Sequence, residues 1–347
     1  MKRTLAVING KGEVSAIEQE LPELKNGEIL IKVHASLISP GTEMVGVKKL
    51  RAKPEDKEPT HFGYANAGEV IKVKGESKGL KPGMRVAAMG GRGAWHANYA
   101  CVPVNMVVPI PDNVTYSQAT YACLGATSLQ AIRRTLPQLG EYGIVLGLGI
   151  VGNLASQLSM LSGARTIAWE GFSSRIEIAR KCGINNIANF REEDTVEATK
   201  KFAAPYGADF SIMAFGGPAT EAFQSVVKCM KVSADTHKMG RIVLVGGCEI
   251  TLGGGASSGN LDIRAASRTG AGYHDEAYEY GQDYPDAFVQ FTTQRNLREI
   301  VQLISEKRLL VDPMITHTMP LEKVGEAADM LIESPDKALG IVMKMSH

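Results

Sequence analysis

The chain has 347 residues, 44% hydrophobic and 22% charged, the make-up of an ordinary soluble globular protein with room for two domains. Its net charge of +1 favours neither nucleic acid nor an anionic membrane as partner, and no apolar run approaches the roughly 18 residues of a membrane span. The apolar stretch after Met1-Lys2-Arg3 stops at Asn9-Gly10-Lys11, too short for a signal peptide. The five cysteines (Cys101, Cys123, Cys182, Cys229, Cys248) are dispersed without a C-x-x-C pair, which argues against a disulfide framework and for a reducing compartment, read as the cytoplasm.

Residues 1 to about 120 read as β structure. Gly27-Glu28-Ile29-Leu30-Ile31-Lys32-Val33-His34-Ala35 and Gly68-Glu69-Val70-Ile71-Lys72-Val73 alternate apolar and polar, the period of half-buried strands. Pro82-Gly83 is a turn before the strand Met84-Arg85-Val86-Ala87-Ala88. Two prolines, Pro109 and Pro111, close the region as a loop or edge. Residues 48–58 are rich in charge, contain Pro54, and read as a solvated loop.

From about 120 to 272 strands and helices alternate, which predicts a parallel sheet covered by helices. Strands are expected at 142–146, 165–170, 186–188, 208–214, 241–246 and 265–271. Helices are expected at 153–161, at 174–182 with Ser173 or Ser174 as N-cap, and at about 218–231. Gly253-Gly254-Gly255 and Ser257-Ser258-Gly259 mark a loop beyond the fifth strand, either ligand-facing or plain surface. In the tail, Leu297, Ile300, Val301 and Ile304 fall at helical spacing, a second helix starts near Pro320, and 340–345 is a final strand.

The chemistry concentrates at Leu146-Gly147-Leu148-Gly149-Ile150-Val151-Gly152. This G-x-G-x-x-G turn lies between a strand and a helix, and Glu170 ends the next strand about twenty residues on. That setting is a dinucleotide fingerprint. Gly147 gives the tight turn, Gly149 lets the backbone approach a pyrophosphate, and Gly152 packs helix on strand. Ile150 and Val151 open the helix whose N-terminus faces the phosphates. Glu170 accepts hydrogen bonds from ribose hydroxyls and repels a 2′-phosphate, so NAD(H) is expected over NADP(H). Arg175 nearby either accommodates that phosphate or is a solvent-exposed helix residue.

The order of parts resembles the medium-chain dehydrogenase/reductase superfamily, relatives of the zinc alcohol dehydrogenases. The resemblance rests on 27–33, Gly68-Glu69-Val70, Lys81-Pro82-Gly83-Met84-Arg85-Val86, the glycine turn, Gly240-Arg241-Ile242-Val243-Leu244-Val245-Gly246 and Ile315-Thr316-His317. It implies an α/β protein with a GroES-like β-barrel catalytic domain, residues 1–122 and 273–347, and a Rossmann doubly wound parallel sheet, residues 123–272. It also implies a cleft between them, a small-molecule substrate, and a homodimer or homotetramer. A narrower likeness, at 36–43 and Gln282-Asp283-Tyr284-Pro285, points to a branch associated with sugar or polyol metabolism.

The sequence departs from the zinc-dependent pattern. Ser39-Pro40-Gly41-Thr42-Glu43 has Pro40 where zinc members carry a cysteine ligand, and Gly63-Tyr64-Ala65 replaces Gly-His-Glu. Cys123 matches the third ligand position, and one thiolate does not make a three-ligand zinc site. An improvised site from His61, His96 and Cys123 is the alternative to no metal at all. A zinc-independent oxidoreductase acting on a secondary alcohol or ketone, such as a sugar or cyclitol, is therefore expected. The alternatives are an NAD(P)H-dependent quinone or activated-alkene reductase, and a non-catalytic redox sensor. Thr42, Tyr64 and Glu43 are the candidates for proton transfer; as a base near neutrality Tyr64 would need a lowered pKa. By the resemblance, Thr127 packs beside the nicotinamide. His61, Trp95, His96, Tyr273 and His274 are candidate substrate contacts. The aromatic stretch from Tyr273 through Tyr284 suits either a polyhydroxylated ring or an oligomer contact.

Overall fold

A computed structural model describes residues 1–254 and 258–347. Gly255 and Ser257 of the glycine- and serine-rich loop lie outside the described residues.

The chain opens with β1 (Lys2–Ile8), β2 (Val14–Glu20), β3 (Glu28–Leu37), α1 (Thr42–Ala52), β4 (Thr60–His61), β5 (Ala65–Lys74), β6 (Arg85–Met89), β7 (Tyr99–Pro103) and β8 (Val107–Pro109). After α2 (Tyr116–Ala119) and α3 (Ala122–Thr135) come β9 (Tyr142–Leu146), α4 (Ile150–Leu161), β10 (Arg165–Glu170), α5 (Ser173–Lys181), β11 (Ile187–Asn189) and α6 (Thr195–Phe202). Then follow β12 (Phe210–Met213), β13 (Gly217–Pro218), α7 (Thr220–Cys229), β14 (Met239–Val245), β15 (Cys248–Glu249) and β16 (Asn260–Ala266). The tail holds α8 (Glu276–Glu279), α9 (Thr293–Ser305), β17 (Ile315–Pro320), α10 (Val324–Glu333) and β18 (Gly340–Lys344). Backbone contacts divide the chain into two compact units, Met1–Ala126 with Thr269–His347, and Thr127–Arg268.

The first unit is built on two sheets. One has the order β2-β1-β4; the other runs β17-β18-β3-β5-β6-β8, with β7 also paired to β3. β3 is central: it pairs antiparallel with β5, β7 and β18. Its Ile29, Ile31, Val33, Ala35 and Leu37 are all buried. α1 occupies part of the stretch read as a solvated loop. Met44, Val47 and Leu50 fall on one face and join a core of Ala6, Phe62, Leu321, Val324 and Ile341. The lysines and Arg51 between them face outward, so charge masks a helix whose buried stripe is only three residues wide.

The second unit is an all-parallel sheet of order β11-β10-β9-β12-β14-β16. Counted within the unit this is 3-2-1-4-5-6, the doubly wound order whose switch point lies beside the first strand. Ile144, Leu146, Ile167, Trp169, Met213 and Ile242 anchor its core with Phe223 and Val226 of α7. The sixth strand lies five residues earlier than the expected 265–271. As an edge strand, β16 carries Asn260, Asp262 and Arg264, so its apolar signal is weak. α4 starts at Ile150, directly on the glycine turn, rather than at 153. α5 is entered from Phe172 with no side-chain cap, which corrects Ser173 and Ser174 as N-caps.

Candidate functional site

In the second unit, β9 delivers the chain to the turn. Gly147 has φ +85, a left-handed conformation in which a side chain is strained. Its N–H donates to the Trp169 carbonyl at 2.9 Å, tying the turn to β10. A Cβ on Gly152 would sit 1.7 Å from the Gly147 carbonyl oxygen, so only glycine lets α4 start this close to the strand. A Cβ on Gly149, the residue that opens α4, would meet no protein atom within 4 Å. The space before the helix N-terminus is therefore open, and the unpaired N–H groups of its first turn suit a phosphate. Ile150 is buried, while the Val151 carbonyl accepts from Ser128 Oγ at 2.9 Å.

Glu170 is 3% exposed. Its Oε2 accepts from the Leu148 N–H at 2.8 Å, and its Oε1 accepts from the N–H groups of Gly171 and Phe172 at 2.8 and 3.0 Å. The carboxylate thus clips the glycine turn to the end of β10. Three of the roughly four acceptor positions of a carboxylate are taken by backbone N–H groups. Arg175 Nη1 stands 3.9 Å from Oε2. The guanidinium groups of Arg175 and Arg191 both lie on the Phe172 ring, at 4.8 and 4.5 Å. Arg175 is thus a partner of Glu170 and Phe172 rather than a fully solvated residue. Arg191 is a neighbour that sequence reading missed. Thr127 is five residues inside α3 and partly buried.

In the first unit, Thr42 and Glu43 begin α1. Thr42 is exposed, whereas Glu43 is buried and turned inward. One Glu43 oxygen accepts from the Ser39 N–H at 2.5 Å; the other lies 3.0 Å from His96 Nε2. His96 Nδ1 is 2.8 Å from Ser36 Oγ, and His96 is fully buried. It is therefore an interior residue and not a substrate contact. Gly63 allows this: with φ +110, its Cβ would press within 2.8 Å of the His96 ring.

Tyr64 follows and is partly exposed. Burial pushes its phenol pKa far up, and Glu43 and Cys123 push it further; the hydroxyls of Ser39 and Thr42 oppose this weakly. The lowered pKa that a tyrosine base needs is thus reversed, and Tyr64 stays protonated. Burial, then Glu43, also pushes the Cys123 thiol up, so it holds its proton.

His61 and Trp95 form a separate stack, 3.8 Å between centroids, with the Arg3 guanidinium 5.1 Å from the Trp95 ring. His61 is exposed and Trp95 partly so. Tyr273 and His274 stack on one another at 4.0 Å, and the Tyr273 hydroxyl accepts from the Gly91 N–H at 3.2 Å. His274 is exposed at φ +73, an uncommon conformation for a residue with a side chain. Much of the tyrosine cluster serves the protein itself: Tyr278 stacks on Tyr284, Tyr284 donates to Asp275, and Tyr280 donates to Glu28.

Among the described residues no three His, Cys, Asp or Glu side chains converge as a metal-holding group. The donor set itself does not fit zinc. Both His96 nitrogens are committed to Ser36 and Glu43, and His61 is stacked on Trp95. Zinc ligation needs free imidazole nitrogens or several thiolates, and one cysteine with no free buried imidazole falls short of a three-ligand site. No helix among the described residues is long and apolar enough to cross a membrane.

Comparisons with known proteins agree with this architecture. Residues 25–112 match the alcohol dehydrogenase GroES-like domain and residues 151–282 the zinc-binding dehydrogenase family. Sorbitol dehydrogenase of Ovis aries is 25% identical, covering 96% of this chain and 94% of that one. A crystal structure of an Escherichia coli oxidoreductase/dehydrogenase of unknown specificity matches with a TM-score of 0.83 at 20% identity, covering 100% of both chains. The quinone oxidoreductase of Coxiella burnetii matches at 0.72 and 19% identity, also over 100% of both chains.

Proposed function

Since the chain belongs to the medium-chain dehydrogenase/reductase superfamily and is an oxidoreductase of that kind, with a GroES-like domain and a Rossmann domain, we propose that it is a zinc-independent, NAD(H)-dependent dehydrogenase of secondary alcohols or the matching ketones. Polyhydroxylated substrates of the sugar or cyclitol class are the first to test, since sorbitol dehydrogenases are among the relatives. The observation that carries the reading is the pairing of a glycine turn open before α4 with a buried carboxylate, Glu170, clipped to that turn. A 2′-phosphate brought against that carboxylate meets like charge, which supports NAD(H) over NADP(H). Arg175, already engaged with Glu170 and Phe172, offsets that repulsion only in part.

A bound nicotinamide would supply the hydride acceptor. The chain's residues supply the rest. Gly147, Gly149, Ile150, Val151 and Gly152 would hold its pyrophosphate, Glu170 would hold its ribose, and Thr127 is the residue proposed for the nicotinamide end. Thr42 and Tyr64 relay the substrate's proton as neutral hydroxyls, each accepting on one side as it donates on the other. Glu43 stands behind them. His61, Trp95, Tyr273 and His274 are the proposed substrate-facing residues. We place the protein in the cytoplasm as a homodimer or homotetramer, which light scattering on the purified protein tests.

Turnover of a polyol panel with NAD by protein stripped with a chelator tests the reading. A second reading, reduction of quinones or activated alkenes with NAD(P)H, draws on the protonated Tyr64 phenol, a proton donor suited to reduction. NAD(P)H oxidation on a quinone and enone panel, with polyols inert, selects it. Tight NADH binding with both panels inert selects a redox sensor.

A further inference from the structure

One hollow of the first unit is lined by none of the residues proposed for cofactor, proton or substrate. It measures about 270 Å³, and Leu80, Met84, Val107 and Pro109 form its apolar wall. Its charged members are two cations, Lys78 and Arg298, and no carboxylate lines it. Gly79, at φ +82, has no atom within 4 Å of where a Cβ would stand, so the backbone there faces open space.

The two cations differ. Lys78 is answered by Asp283, whose carboxylate oxygen lies 2.6 Å from Nζ. Arg298 is not answered: it donates to the neutral Gln294 Oε1 at 3.2 Å, and no carboxylate of the described residues comes within 4.0 Å. Gln294 in turn donates to the Val107 and Val104 carbonyls at 3.4 and 3.5 Å, so the guanidinium is held against the hollow. Arg295 stands one turn earlier on α9, bonded to the Gln290 carbonyl and likewise without a carboxylate in reach. Two like charges three residues apart, near the helix end where the dipole disfavours cations, do not stabilise α9. A neighbouring hollow of about 400 Å³ shares Gln294 and Arg298 but adds Asp283 and Asp286. Arg298 thus belongs to an apolar lining and to an acidic one.

We propose that the apolar hollow binds a small organic monocarboxylate. The guest's apolar body fills the space among Leu80, Met84, Val107 and Pro109, and its carboxylate takes the planar fork of Arg298 as a two-point partner. The volume lies just under the ~300–1,000 Å³ of sites for drug-sized ligands, which sets the guest at about six to eight carbons. A second carboxylate is disfavoured on both sides. Against the apolar wall it finds no partner, and in the neighbouring hollow it meets Asp283 and Asp286. A neutral guest of the same shape gives up the guanidinium. The proposal is independent of the dehydrogenase reading.

Hexanoate and benzoate are the probes, titrated into the full chain and followed by the Met84 methyl signal in NMR. Comparison with Met84→Leu identifies that signal among the 14 methionines. The Met84 sulfur accepts from the Lys81 N–H at 3.2 Å, which steadies the reporter. Saturable shifts with a Kd of about 1 mM are expected, with hexanol, adipate and inorganic phosphate each weaker by about tenfold or more. Arg298 is exposed, so Arg298→Met is expected to fold. It keeps an apolar stem without the charge and should weaken hexanoate about tenfold while leaving hexanol unchanged. The comparison of probes on the parent chain decides the proposal even without the variant. A Met84 signal that does not saturate by about 50 mM hexanoate overturns it. So does hexanol, adipate or phosphate binding as tightly as hexanoate, or an Arg298→Met protein that binds hexanoate like the parent.

Discussion

Glu170→Ala is the most revealing single change, because it strikes folding and cofactor binding together. It removes the acceptor of three backbone N–H groups, at 2.8, 2.8 and 3.0 Å. Hydrogen bonds to a charged group contribute ~1.5–3 kcal/mol each. Water entering the vacated space recovers part of that, and the cost of burying the carboxylate disappears. A net loss of ~3 kcal/mol is expected. At ~2–4 °C per kcal/mol, the melting transition of the second unit should fall by roughly 6–12 °C. Because the Leu148 N–H belongs to the glycine turn, NADH affinity should fall about tenfold, or ~1.4 kcal/mol. Glu170→Gln keeps the oxygen that serves Gly171 and Phe172 but can present an NH₂ group to the Leu148 N–H, so it should recover about half the stability. Calorimetry and NADH fluorescence titration read both effects. A Glu170→Ala protein as stable as the parent, with unchanged NADH affinity, would refute the reasoning that this carboxylate organises the turn.

Gly149→Ala makes the opposite separation: a Cβ at this position meets no protein atom within 4 Å, so stability should hold while NADH affinity drops about tenfold; a melting point that falls as far as that of Glu170→Ala sinks the idea that the space is reserved for ligand. NADH should bind more tightly than NADPH in direct titration, and a clear NADPH preference ends the Glu170 argument. Alkaline stability follows from the raised phenols. Tyr64 is pushed up by burial, Tyr280 to about 12 by burial and then Glu28, and Tyr284 to about 12 by its bond to Asp275. Their protons are held more tightly in the folded state, so this contribution is intact below the ordinary phenol pKa of about 10 and is lost as pH rises through the folded values. Melting scans should show stability falling above about pH 10, less steeply in Tyr280→Phe; identical slopes for parent and variant contradict this.

The second unit was largely legible because its signals are local. Strand, turn, helix and acid at 142–170 lie within thirty residues, and a buried parallel sheet writes near-continuous apolar runs. What escaped was set by packing over distance. The charged face of α1 hid Met44, Val47 and Leu50, and the polar edge strand β16 lacked the apolar pattern that marks β9 or β14. In the first unit the ligand substitutions at Pro40 and Tyr64 could be read directly. Nothing local announced that His96 faces Ser36 and Glu43, 60 and 53 residues away. The direction of the Tyr64 pKa was likewise invisible, because burial decides it and burial belongs to the fold.

The account stands most directly on one sample measured twice. Protein treated with a strong chelator and desalted should contain far less than one zinc per chain and still reduce NAD in the presence of a polyol, at the rate of untreated protein. Activity that vanishes with the metal and returns on adding zinc would contradict it.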